Sequence, residues 1–191
     1  MSVLFMILLL VLACLYWLWP TELRNAEWHR KVESKTVAAF IDQQEVYNEL
    51  VNDFRNIFHS SQPCGLPTPG EGTVTFRRIT FTDDGLYSFA DAHNSFDRVS
   101  AQSAAKMLNA TLMELQNLGT QLRKINRSVI FQHDAEIGIL AGDNTTYGVL
   151  FVPTECPQFE TYKDIEYPGL SSSFLQLKKI GKGWFYFVDR R

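Results

Sequence analysis

The chain of 191 residues has little cysteine: three residues, Cys14, Cys64 and Cys156, too few for a disulfide-stapled scaffold. It has no excess of either charge. Eighteen Lys and Arg stand against 21 Asp and Glu, a net −3, which excludes a general nucleic-acid binder that must displace counterions with a basic face. Seven Pro and 11 Gly exclude a collagen-like or low-complexity chain. The motifs of nucleotide, zinc and serine-hydrolase chemistry are missing as well: no G-x-x-x-x-G-K-[ST], no G-x-G-x-x-G, no H-E-x-x-H, no C-x-x-C and no G-x-S-x-G. No cofactor is therefore expected.

What is present begins with one long apolar run. Val3 to Trp19 carries no charge, and at 1.5 Å per residue its 17 residues reach roughly 25 Å, the short end of a bilayer core. Tyr16, Trp17 and Trp19 sit at its far end, where amphipathic rings favour headgroups, and Pro20 follows. With no basic n-region and no small-residue cleavage pattern, residues 1–20 are expected to be an uncleaved single-pass anchor in the lipid bilayer. Arg24, Arg30, Lys31 and Lys35 follow it, a bias that favours the cytoplasmic side for the rest of the chain. Cys64 and Cys156, each in a Pro-rich loop, support the extracytoplasmic alternative if they pair in an oxidising compartment.

Residues 21–35 form a charged connector, and 36–191 one soluble domain. Over 36–59, Val37, Phe40, Ile41, Tyr47, Leu50, Val51, Phe54 and Ile57 recur at spacings of three and four, predicting a long amphipathic helix. It packs on a sheet or, alternatively, forms a homodimer seam. Residues 60–72 hold three prolines and three glycines and read as a loop. A strand follows, with a bulge expected at Arg77-Arg78, then a hairpin turn at Asp84-Gly85. A second helix is expected over 97–125, capped by Asp97 or Ser100, with Gly119 marking close packing. Strands are expected at 128–132, 136–140, 146–152, 172–180 and 184–188, with a long loop over 153–169.

The fold class is α+β: an antiparallel sheet of about five strands with a crossing helix. In element order it resembles PAS-, Cache- and longin-like domains, by topology alone. The expected function is that of a non-enzymatic binding domain, an accessory or regulatory subunit held at the membrane beside a protein partner. The candidate contact residues are Trp184 and Tyr186, on one side of an aromatic strand, and Arg77 and Arg78, which with Arg98 could meet an anion. The alternatives are a small-molecule sensor, with the aromatic strand lining a cavity, and a hydrolase built around His133-Asp134 and the 153–169 loop.

Overall fold

The structure is a computed structural model that describes residues 21–58, 76–91, 93–133, 135–141, 147–156, 159, 169–172 and 175–189. The apolar run over 3–19 and Cys64 lie outside these residues. Among the described residues no helix is long and apolar enough to cross a membrane. The chain divides into two units, Met1–Lys35 and Thr36–Arg191. In the first, the described part is the start of helix α1 (Thr21–Asp42), whose exposed Lys31 and Glu27 pair at 2.9 Å one turn apart. The charged connector is thus helical.

The second unit is α+β. The end of α1 breaks at Gln43 and leads into α2 (Gln44–Ile57). The break costs little, because the Gln43 N–H still donates to the Phe40 carbonyl at 3.2 Å and the Gln43 carbonyl accepts from Tyr47 N–H. It keeps Phe40 and Tyr47 in one buried cluster, ring centroids 5.3 Å apart. Tyr47, Leu50, Val51, Phe54 and Ile57 are all buried in this unit's own core, so the apolar stripe packs on the sheet. At about 1.5–3 kcal/mol per large side chain, that burial outweighs any propensity of the helix alone.

Among the described residues the sheet has nine strands, all antiparallel: β1 (Phe76–Phe81), β2 (Tyr87–Asp91), β3 (Ser95–Val99), β4 (Val129–His133), β5 (Glu136–Leu140), β6 (Tyr147–Phe151), β7 (Gly169–Ser172), β8 (Leu175–Gly181) and β9 (Trp184–Asp189). Their order is β3-β2-β1-β4-β5-β6-β9-β8-β7. The count of about five is corrected upward: all seven strand segments expected along the chain join this one sheet, and two more are added to it. Residues 95–99, the last three of which were expected to begin a helix, form edge strand β3 against β2, and 169–181 is a hairpin of two strands. The expected helix over 97–125 is two helices, α3 (Ala101–Leu108) and α4 (Leu112–Lys124). Asn109 leaves α3 in the left-handed region at φ 52°, and Thr111 caps α4 in a capping box with Glu114. Ser100 caps α3, accepting from Ser103 N–H. The α3–α4 pair carries the chain from the β3 edge back to β4, beside β1.

The bulge expected at Arg77-Arg78 is absent. Pairing runs unshifted from Phe76↔His133 to Thr80↔Val129. Alternation along unbulged strands therefore fixes two faces. The helix-covered face carries the row Ile79, Ile130, Ile139, Val149 and Tyr186, and beside it the row Arg77, Gln132, Ile137, Phe151 and Trp184. The opposite face carries a second buried cluster, Leu150, Leu177, Phe185 and Phe187 with Val152, and partly buried Phe131 and Leu140 pack against it. Two glycines make room there. A Cβ on Gly138 would collide with the Phe131 ring, and one on Gly148 would lie 3.0 Å from the Phe187 ring and closer still to the Ile139 carbonyl. Phe131 and Phe187 lie over these positions from opposite sides and meet edge to face at 6.1 Å.

Candidate functional site

The structure separates the residues that sequence placed together. Trp184 and Tyr186 do share a face, but it is the helix-covered one, and each is only 1% exposed. Trp184 packs between Phe40 and Phe151, centroids 5.0 Å from each, and its indole N–H donates to Asn48 Oδ1 at 3.1 Å. Both side chains belong to the core and offer no outer surface. Arg77 and Arg78 point to opposite faces of β1, as neighbours on an unbulged strand must. The Arg77 guanidinium lies over the Phe58 ring at 4.7 Å and donates to Gln132 Oε1 at 3.3 Å. Arg98, at positive φ, pairs with Asp84 at the hairpin turn. The three arginines thus form no common anion site.

His133 ends β4, exposed, and Asp134 lies outside the described residues. Of the 153–169 loop, residues 153–156, Phe159 and Gly169 are described. Cys156 is disulfide-bonded and 2% exposed. Its only possible partners within the chain, Cys14 and Cys64, lie outside the described residues. Among the described residues no group of three His, Cys, Asp or Glu could hold a metal ion.

Among the described residues a cleft lies elsewhere. It has a volume of about 510 Å³ and sits between the β1–β2 hairpin, the start of α3 and the C-terminal half of α4. It arises from one close approach. Tyr87 reaches across to α4 and its hydroxyl donates to the Leu115 carbonyl at 2.6 Å. That geometry requires Gly119, where a Cβ would stand 2.5 Å from the Tyr87 oxygen and 3.1 Å from the Phe81 ring. Burial raises the Tyr87 pKa, and the nearby Arg123 charge offsets part of the rise. Gln116, Asn117, Thr120 and Arg123 form the α4 wall, one polar helix face at spacings of three and four. The Arg123 guanidinium lies 5.2 Å from the centre of the Phe81 ring, which also lines the cleft. The hairpin side is open, with nothing within 4 Å of a Cβ placed on Gly85.

Sequence reading found Gly119 and the Asp84-Gly85 turn but not this wall. The available signal was Gln116, Thr120 and Arg123 on one side of a helix, flanking a glycine that must face a neighbour. A nine-strand antiparallel sheet with one helix-covered face and a polar surface cleft defines an α+β domain with room for a small ligand. Comparison with protein families, curated proteins and solved structures returns no match.

Proposed function

We propose that this chain is a membrane-anchored, non-enzymatic binding domain, an accessory or regulatory subunit whose folded part faces an oxidising compartment and docks on a protein partner. The observation that carries the docking is at the α3–α4 turn. There Met107 and Met113 are 60% and 69% exposed on either side of a turn held by Asn109 and the Thr111 capping box. Rigidly presented methionines suit an adaptable apolar contact, and large exposed apolar side chains are what a partner covers. The disulfide at Cys156 supports the oxidising side against the Lys/Arg bias, since reducing compartments keep thiols free. The anchor itself rests on the apolar run over 3–19.

The test is purification of the full chain from its membranes in mild detergent. This reading expects a stoichiometric second protein, lost on Met107→Glu with Met113→Glu while the chain stays folded. Recovery of the chain alone would overturn it. A second reading is a small-molecule sensor in the PAS/Cache manner, supported by the cleft of about 510 Å³ on α4.

A further inference from the structure

We infer that the cleft between the β1–β2 hairpin and α4 takes a small organic monocarboxylate, an inference that rests on the sensor reading. Its lining holds one cation, Arg123, and no carboxylate. Asp84, beside Gly85 in the hairpin turn, is engaged by Arg98 and Thr82. Among the described residues the Arg123 side chain makes no hydrogen bond or ion pair. Its exposed guanidinium instead lies with its centre 5.2 Å from the centre of the Phe81 ring, and its N–H groups can donate to an acceptor. A carboxylate matches that fork with two parallel hydrogen bonds.

The charge of the occupant follows from the helix. Residues 116–123 belong to the C-terminal half of α4, where the macrodipole is negative and no backbone N–H groups are free. A phosphate dianion needs such N–H groups or a second cation, and the lining supplies neither. A single negative charge balanced by one arginine fits. The rest of the ligand meets the edge of Phe81, which favours a flat apolar middle, and the side-chain amides of Gln116 and Asn117, which favour a polar far end.

The experiment is thermal unfolding of the full chain in detergent at constant ionic strength, titrated with phenylacetate, propionate, phenylacetamide and inorganic phosphate. A ligand that binds the folded state raises Tm in proportion to its affinity. Phenylacetate should give a saturable rise, with propionate weaker, and phenylacetamide and phosphate at least tenfold weaker than phenylacetate. Arg123→Gln should abolish the rise and Arg123→Lys reduce it. Each variant is compared with its own ligand-free Tm, so a lower baseline leaves the reading intact. Phenylacetamide binding as tightly as phenylacetate, or a rise unchanged in Arg123→Gln, would overturn the carboxylate while leaving a ligand site in place. No rise with any probe would count against both the carboxylate and the sensor reading.

Discussion

At the scale of single residues, Gly119 shows how tertiary contact overrides local preference. In an exposed helix, alanine for glycine gains about 1 kcal/mol. Here the new Cβ would stand 2.5 Å from the Tyr87 hydroxyl, and overpacking of that kind costs about 1–3 kcal/mol. Gly119→Ala is therefore expected to destabilise the chain in chemical denaturation. Combined with Tyr87→Phe, which removes the colliding oxygen, the same substitution should cost less than it does alone. Additive losses would contradict this contact.

Asp53 provides a pH test. Burial raises its carboxyl pKa, and Glu49 and Glu114 push it further in the same direction. A carboxyl whose folded pKa is raised holds its proton better folded than unfolded. Its contribution thus favours folding at low pH and is lost as pH rises from the unfolded value through the folded one. Asp53→Asn should stabilise the chain at neutral pH, with the gain vanishing below the ordinary carboxylate range. A gain independent of pH would exclude charge as its cause.

Among the elements, legibility tracks how local the determining physics is. Most of the stripe expected over 36–59 was readable because one face of a helix repeats every three to four residues and is buried, although Ile41, counted in it, is 61% exposed beside the break at Gln43. The break of the expected 97–125 helix was carried by Asn109 and Thr111. Their side chains favour a left-handed exit and a cap, and the continuous leucine stripe concealed both signals. Removing the cap with Thr111→Ala should cost about 1 kcal/mol, measured by denaturation. Residues 95–99 could not be read as a strand, because β3 is an edge whose pairing with β2 is a long-range fact. The bulge expected at Arg77-Arg78 would have put Phe76 on the same face as Ile79 and Phe81, but the unshifted pairing leaves it on the other one, and the odd positions, Arg77 among them, line the helix face. There the Arg77 guanidinium packs on Phe58, so polarity was no guide to the side. Gly138 and Gly148 mark the reverse case. Glycine weakens a strand alone, yet these two admit Phe131 and Phe187 to the far face. Gly138→Ala should destabilise more than an alanine at Gly85, where a Cβ meets nothing within 4 Å, the difference read from the two denaturation midpoints. At Gly85, with φ 78°, alanine pays only the backbone strain of about 1 kcal/mol for a left-handed residue, whereas Gly138→Ala also displaces an aromatic ring.

At the scale of the whole molecule, the α+β class was legible because helices and alternating strands follow one another in order. The cleft was not. Its wall is four polar residues on α4 and its floor two aromatics from a hairpin some thirty to forty residues away, joined by a Tyr87 hydrogen bond that no spacing rule encodes. The aromatic final strand was legible in its alternation but not in its fate, since whether Trp184 and Tyr186 face helices or a partner depends on what covers the sheet. The account's central claim is a domain anchored at a membrane with its fold in an oxidising compartment. The direct measurement is thiol labelling of the full chain in intact cells, with Cys14 replaced by alanine and a membrane-impermeant maleimide applied before and after an impermeant reductant. The account predicts labelling of Cys64 and Cys156 only after reduction, without opening the membrane. Thiols that react without reductant, and only once the membrane is permeabilised, would contradict it.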